Sequence, residues 1–233
     1  MYCISGRGSV ISVNFFPPIE LERGYPNCEW EVGLISFTTY NSIPNVEEGL
    51  NNLIHFGPDT IVLPTGSYEI NDINAFVQRS VVKPKELTIK ANNNTLKTEV
   101  YATDELDFTR DHSIAPLLGF SPRKLEPYKW HESDTPVDII RVDTIRVGCN
   151  IARASYQNEV ESHVIHEFTP VVPPGFKIVE RPHNVTYLPL SVDSIQNIEI
   201  TLCDQNNEPI NLRGERVDVT LCIRPRLQHG FGV

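Results

Sequence analysis

Apolar and polar residues alternate along many stretches of this chain, the pattern of a β-strand with one buried and one exposed face. In residues 217–224 valine, leucine and isoleucine occupy every second position, and residues 198–202 repeat the pattern. A strand with one apolar face must cover that face with another layer, so the chain is limited to layered or closed β-architectures. Further strands are predicted at residues 10–15, 29–40, 52–56, 60–63, 86–91, 95–101, 163–168 and 176–179.

Residues 137–149 change the phase of their alternation partway along. The apolar positions of residues 140–142 follow one phase and those of residues 145–149 follow the other. A shift of one residue moves every side chain to the opposite face, so a bulge or bend is predicted at residues 143–144. Long strands bent in this way are typical of barrels and sandwiches.

One amphipathic helix is predicted after residue 70. Asn71 or Asp72 is expected to cap its N-terminus, and Lys83-Pro84 to end it. Its apolar stripe consists of Ile73, Phe76, Val77 and Val81. A shorter helical turn is predicted at residues 113–118, with Gly119 in the left-handed position that follows it.

The order of these elements predicts the fold class. The 18 prolines and 13 glycines fall mainly between the strands, and helices do not alternate with strands as they do in parallel sheets. The prediction is an all-β protein, a single jelly-roll sandwich of about eight to ten strands with one or two short helices in its connecting loops. Without an evident linker, residues 1–226 are expected to form one domain and residues 227–233 a flexible tail.

The charge of the chain excludes some functions. With 20 basic and 30 acidic residues the formal net charge is −10, which repels a phosphate backbone, so no direct contact with nucleic acid is expected. No apolar run approaches the ~18 residues needed to span a membrane, and the first residues lack the apolar segment of an export signal. An intracellular product with reduced cysteines is therefore predicted.

The sequence offers little catalytic chemistry. The best metal candidate is the group His163, His166 and Glu167, but two histidines three residues apart point to opposite faces of a strand. None of the common nucleophile, zinc-protease or phosphate-loop motifs is present. We therefore predict a protein that is not an enzyme and that has no catalytic residue, cofactor or metal.

Aromatic residues next to turns are the candidate contact sites. Phe15 and Phe16 precede two prolines, Tyr128 and Trp130 follow another proline, and Phe231 lies in the predicted tail. Such residues often anchor protein interfaces, and the alternative is that they pack at the edge of the core under a loop.

Five short segments occur in an order that is similar to that of a known family. They are residues 32–45 (VGLISFTTYNSIPN), 64–74 (PTGSYEINDIN), 117–120 (LLGF), 186–190 (TYLPL) and 210–215 (INLRGE). In these segments the chain resembles the minor capsid (penton) proteins of Polinton/Maverick elements and adintoviruses, and the resemblance covers about residues 29–224.

The resemblance implies a structural role. A member of that family is a single jelly roll that forms homopentamers at the five-fold vertices of an icosahedral virion, beside a double jelly-roll major capsid protein, and none of its residues is catalytic. The protein would then belong to the virion and be made in the host cytoplasm or nucleus. Subunits of such a ring bury their side faces against one another, and the five aromatic residues named above are the candidate anchors.

Two other functions remain open on the sequence. A jelly roll can serve as a carbohydrate- or receptor-binding module, which an exposed sheet face with Trp, Tyr and acidic residues would favour. A cupin-like metalloenzyme built on His163, His166 and Glu167 is the third candidate.

Overall fold

The structure is a computed structural model that describes residues 1–21, 29–81, 86–153, 155–157 and 160–226. Within these ranges there is one α-helix, α1 (Ile70–Ser80). The strands, in chain order, are β1 (Tyr2–Arg7), β2 (Val10–Glu20), β3 (Glu29–Tyr40), β4 (Leu53–Phe56), β5 (Asp59–Val62), β6 (Leu87–Asn92), β7 (Lys97–Ala102), β8 (Leu106–Asp107), β9 (Lys124–Leu125), β10 (Trp130–Glu132), β11 (Ile145–Cys149), β12 (Ser155–Gln157), β13 (Val160–Ser162), β14 (Val164–Phe168), β15 (Lys177–Glu180), β16 (Leu188–Pro189), β17 (Ser194–Cys203) and β18 (Arg216–Arg226).

The chain divides into two compact units. Unit 1 comprises Met1–Ile43 and Val142–Val233, and unit 2 comprises Pro44–Arg141, inserted in the chain between β3 and β11. Each unit has its own cluster of buried apolar side chains. The expectation of one domain over residues 1–226 stays a prediction, and the predicted tail at residues 227–233 lies outside the described residues.

Unit 1 is a jelly roll. Its first sheet has the order β1-β18-β3-β15, with β16 also paired to β3, and its second sheet has the order β14-β11-β17-β2. All of these pairs are antiparallel. Along the eight main strands the chain changes sheet at every step except from β11 to β14. Two four-stranded antiparallel sheets connected in this order define a jelly roll, so the predicted fold class is confirmed.

The core of unit 1 lies between the two sheets because alternate residues of each strand face inward. Leu34 on β3 and Leu221 on β18 are paired in the first sheet, and Ile200 on β17 and Val147 on β11 are inward residues of the second. All four are at most 1% exposed. Burying a side chain of this size stabilises the fold by roughly 1.5–3 kcal/mol, so the alternation in the sequence carries much of the folding energy.

Unit 2 is built from two small sheets and the helix. The sheets have the orders β10-β7-β6 and β5-β4-β8-β9. Helix α1 contributes Ile70, Ile73 and Val77 to the core of this unit. In the described part of the chain, no helix has the length and apolar composition to cross a bilayer.

The helix begins earlier than the sequence predicts. Its N-cap is Glu69, not Asn71 or Asp72, and Asp72 instead accepts a hydrogen bond from the Glu69 backbone N–H at 3.0 Å. Together they form a capping box, which satisfies two of the N–H groups left over at a helix start. The stop predicted at Lys83-Pro84 lies outside the described residues, and Val81 follows the last helical residue.

The short helical turn before Gly119 is present, and one other local prediction needs correction. Leu118 N–H donates to the Ile114 carbonyl oxygen at 3.2 Å, and Gly119 follows with the predicted positive φ, +79°. Of residues 137–149 only β11 is a strand, and the residues before it are bends and loop. Val137 and Ile139 pack on the core of unit 2 without joining a sheet, so their apolar character does not require a strand.

The predicted bulge is present in β11, a few residues after the predicted position. The pairing of β11 with β14 shifts register between Val147 and Gly148, not at residues 143–144. A Cβ on Gly148 would lie 2.3 Å from Thr201 Oγ1, so a side chain at this position would require the Thr201 hydroxyl to move.

Candidate interaction surfaces

The candidate metal ligands of the sequence have separate partners. The Nδ1 of His163 lies 2.8 Å from the Ala152 carbonyl oxygen, and the Nε2 of His166 lies 3.1 Å from Glu180 Oε1. Glu167 points instead to Arg146, with its Oε2 3.4 Å from Nε. Within the described residues, no three His, Cys, Asp or Glu side chains are grouped closely enough to hold a metal ion.

A cavity of about 410 Å³ in unit 2 carries several polar groups. Its lining includes the Thr60 hydroxyl and the carboxylates of Asp59 and Glu86. The Thr60 Oγ1 also lies 3.1 Å from the Nδ1 of His55, which is 8% exposed. Elsewhere, burial raises the pKa of Cys149 to about 11, so at neutral pH this cysteine is a protonated thiol and a poor nucleophile.

Of the two described candidate contact residues in unit 1, Phe15 is partly buried and Phe16 is exposed. Phe15 packs edge-on against Tyr2, with ring centroids 5.8 Å apart, and borders the core. Phe16 is fully exposed, at 101%. It lies on β2, an edge strand of the second sheet, directly before Pro17 and Pro18, which cannot donate ladder hydrogen bonds. Phe16 is therefore the more accessible of these two candidate residues.

Both candidate residues of unit 2 are exposed. Tyr128 is 71% exposed and has a φ of +61°, while Trp130, the first residue of β10, is 50% exposed. Trp130 contacts Tyr101 with ring centroids 5.5 Å apart and an interplanar angle of 43°. Phe231, the fifth candidate, lies outside the described residues.

Exposed apolar side chains at the other edge of unit 1 were not predicted from the sequence. Tyr40 ends β3 and is 49% exposed, and Val179 on the edge strand β15 is 53% exposed. Because Lys177 pairs with Tyr40 and Val179 with Thr38, these side chains share the outer face of the first sheet. Alternation alone signals which residues of a strand face outward, but not that β15 is an edge.

A buried charge anchors the other end of the same sheet. Glu31 is only 8% exposed and accepts a hydrogen bond from Arg224 Nε at 2.7 Å. The Arg224 guanidinium lies over the Tyr187 ring, 3.4 Å from its centroid. A hydrogen bond with Cys222, with burial, raises the pKa of Tyr187. This stack holds the segment that leads into β16 on the outer face of the sheet.

Polar side chains form hydrogen-bonded groups on the outer faces of both sheets. On the second sheet, side-chain amides connect the turn after β11 to β17 and β2, since Asn150 Nδ2 donates to Asn197 Oδ1 at 3.2 Å and Asn197 Nδ2 to Asn14 Oδ1 at 3.0 Å. On the first sheet Ser5 and Arg216 both donate to Asp218 Oδ1. Exposed apolar side chains of unit 1 lie at edge strands and strand ends, and also in the loop before β15, where Val171 is 88% exposed.

Comparison with known proteins finds a likeness in structure but not in sequence. No protein-family model and no curated protein matches the sequence. Among solved structures, the crystal structure of the mavirus penton protein is similar over 95% of this chain and 92% of that chain, with a TM-score of 0.49 and 11% sequence identity. A likeness of this degree assigns neither a function nor an assembly to the chain.

Proposed function

We propose that this protein is a structural capsid subunit, the penton or minor capsid protein at the five-fold vertices of an icosahedral virion. The observation that carries the proposal is that the segments resembling the penton family lie in a chain whose unit 1 has the strand order of a single jelly roll. A fold alone does not imply a function, so the resemblance and the strand order are needed together.

The resembling segments occupy definite places in the jelly roll. Residues 32–45 include most of β3, the central strand that binds β18, β15 and β16, and residues 186–190 include β16 itself. Residues 210–215 make the turn before β18, where Ser42 Oγ donates to the Leu212 carbonyl oxygen at 2.6 Å. The other two segments lie in unit 2, at the start of α1 and at the Gly119 turn.

The distribution of apolar surface supports assembly through the edges of unit 1. Polar sheet faces and exposed apolar residues at the edges suit a ring in which each copy contacts two neighbours through different surfaces. We propose Phe16 as an anchor of these contacts, with Phe231 as a second, and Tyr128 as an anchor contributed by unit 2. Phe15, next to Phe16 on β2, is partly buried against the core of unit 1.

The same proposal names the partners. The homopentamer would sit beside a double jelly-roll major capsid protein in the virion, after synthesis in the host cytoplasm or nucleus. With a net charge of −10 the subunit would leave contact with packaged DNA to other proteins. No catalytic step is part of this role.

Native mass spectrometry of the purified protein tests the proposal. We expect a particle of five 26.4 kDa chains, visible as closed rings by negative-stain microscopy. A stable trimer contradicts the proposal. So does a monomer that persists when the protein is co-expressed with the double jelly-roll protein of the same genome.

A matched pair of variants tests the contact surface. Phe16→Ser should abolish ring formation without lowering the melting temperature, because Phe16 makes no buried contact within one copy. Val171→Ser replaces another exposed apolar side chain, 88% exposed, and should leave the rings intact. Equal behaviour of the two variants would remove Phe16 from the interface.

A further inference from the structure

The three-stranded sheet of unit 2 presents two ordered rows of side chains on its outer face. In the register of β10, β7 and β6, the positions between these rows hold Val100 and Ile89, which are 1% and 2% exposed in the core. The rows themselves therefore face outward. The ring row is Trp130, Tyr101 and Thr88, and the charged row is Glu132, Glu99 and Lys90.

The ring row holds Trp130 in a defined position while half of it remains accessible. Tyr101 supports the indole from the neighbouring strand, and the Lys90 Nζ lies 4.2 Å from its ring centroid. A cation at this distance is attracted by the π-system and orients the ring. Because the indole is already held in place, little side-chain conformational entropy is lost when a ligand stacks on it.

The charged row supplies hydrogen-bonding groups beside the rings. Glu99 accepts from Asn92 Nδ2 at 2.9 Å and pairs with Lys90 Nζ at 2.8 Å, and the hydrogen bond from Lys90 lowers the pKa of this carboxyl. Glu132 accepts from Thr95 Oγ1 at 3.2 Å. Each carboxylate oxygen has two lone pairs, so both groups can accept further hydrogen bonds from a ligand.

The charged neighbours of Trp130 distinguish it from the other candidate contact residues. The buried centre of a protein interface is depleted in charged side chains, whereas Trp130 lies next to Lys90, Glu99 and Glu132. An aromatic ring flanked by a few hydrogen-bonding groups is instead the composition of a small-ligand site. With two carboxylates and one ammonium group, the surface favours a neutral ligand rich in hydroxyl groups.

We propose that this surface binds a neutral pyranoside. One C–H face of the sugar stacks on the face of Trp130 opposite Lys90, and its hydroxyls donate to Glu99 and Glu132. The two rows are two residues apart along each strand, roughly 7 Å, which one pyranose ring with its hydroxyls can span. The inference concerns unit 2 alone and does not depend on the proposed assembly.

Tryptophan fluorescence can test the proposal on the full chain. The chain has two tryptophans, and Trp30→Phe leaves Trp130 as the sole reporter. The replacement is tolerable because the Trp30 indole N–H is buried without a hydrogen-bond partner among the described residues. We expect saturable emission changes on titration with cellotriose, chitotriose or lactose, and weaker binding of the anionic 3′-sialyllactose. No saturable change with any of the three neutral sugars, or tighter binding of sialyllactose, overturns the proposal.

Variants locate the site by a readout that does not need the fluorophore. By saturation-transfer NMR, Trp130→Ala should weaken binding of the neutral sugar about tenfold or more and Glu99→Gln severalfold, with unchanged melting temperatures. Trp130→Phe should recover most of the affinity, and Tyr40→Ala, an exposed aromatic of unit 1, should have no effect. Loss of the pentamer with unchanged sugar binding in Trp130→Ala would instead make Trp130 an assembly residue and overturn the inference.

Discussion

The imidazole of His166 lies 3.1 Å from the Glu180 carboxylate, and this contact joins the two sheets of unit 1 at one edge of the sandwich. His166 belongs to β14 in the second sheet and Glu180 to β15 in the first. Both side chains are partly buried, and the imidazole stacks on Phe168 at 6.0 Å with an interplanar angle of 23°. The pair therefore places two polar side chains at the edge of a core that consists mainly of apolar side chains.

Removing the carboxylate should loosen this edge. Glu180→Ala is expected to lower the free energy of unfolding by about 1 kcal/mol, the net value of one partly buried hydrogen bond. Urea denaturation followed by circular dichroism measures the change. Glu167→Ala, which removes a more exposed carboxylate next to His166 on β14, should cost less than about 0.5 kcal/mol. Equal effects of the two variants would contradict an inter-sheet role for Glu180.

Asn45 should be essential to unit 2. It is 7% exposed, and its side chain donates to the carbonyl oxygens of Tyr68 and Ile139 and accepts from the Tyr68 N–H at 2.9 Å. Asn45→Ala leaves these buried backbone groups unsatisfied, and we expect a loss of about 2 kcal/mol in thermal or urea unfolding. Asn94→Ala, at an exposed turn, is the control and should be neutral. A stable Asn45→Ala protein would show that solvent reaches these groups.

Gly119 should tolerate no side chain. Its φ is +79°, and a Cβ would lie 2.3 Å from the Thr135 carbonyl oxygen, so Gly119→Ala adds a backbone clash to the cost of the left-handed conformation. A destabilisation of more than about 2 kcal/mol is expected. Gly49→Ala has a similar φ of +76° but open space around it, and should cost about 1 kcal/mol. Calorimetry of both proteins separates the two contributions, and equal losses would show that the Thr135 loop moves aside.

Asp107 should make stability depend on pH at the acid end. A hydrogen bond from the Thr109 hydroxyl, with the nearby charge of Lys124, lowers the pKa of Asp107 to about 2. A carboxyl with a lowered pKa stabilises the fold above its unfolded pKa of about 3.9, and this contribution is lost as the pH falls towards 2.

Asp107→Asn tests this dependence. The variant should melt below the wild type at pH 7, and the gap should close between about pH 4 and pH 2. Melting temperatures at pH 7, 4 and 2 check the result, with Asp111→Asn as an exposed control. A gap that persists unchanged at pH 2 would mean that the carboxylate charge is not the cause.

The sequence predicted the positions of strands and helices better than it predicted which strands pair with each other. Alternation located β3 at its observed bounds and β18 within a few residues, because burial of one face dictates that pattern. It misplaced the N-cap of α1, since Glu69 is a weaker capping residue than Asn or Asp and acts here through a reciprocal bond with Asp72. The phase of an alternation also does not reveal which strands become neighbours, so the sequence predicted a jelly-roll sandwich without the pairing order of its strands.

The candidate surfaces could be predicted only in part. Phe16, Tyr128 and Trp130 are exposed, as contact residues must be, but their flanking prolines and turns did not reveal that Trp130 alone has charged neighbours on two adjacent strands. Those neighbours are about 30 to 40 residues away in the chain, and only the register of β6, β7 and β10 brings them together. For the same reason the exposed pair Tyr40 and Val179 went unrecognised.

The position of β18 between β1 and β3 has a consequence for synthesis on the ribosome. Leu221 pairs with both Tyr2 and Leu34, so the first sheet lacks a central strand until nearly the whole chain has emerged. Unit 2 contains its own core within one continuous stretch and needs no later residue to complete it. The nascent chain can therefore fold its inserted unit early, while the apolar inner faces of β1, β2 and β3 wait for their partners. In stalled nascent chains that carry a C-terminal linker long enough to fill the exit tunnel, chaperone occupancy should accordingly fall only once β18 has emerged.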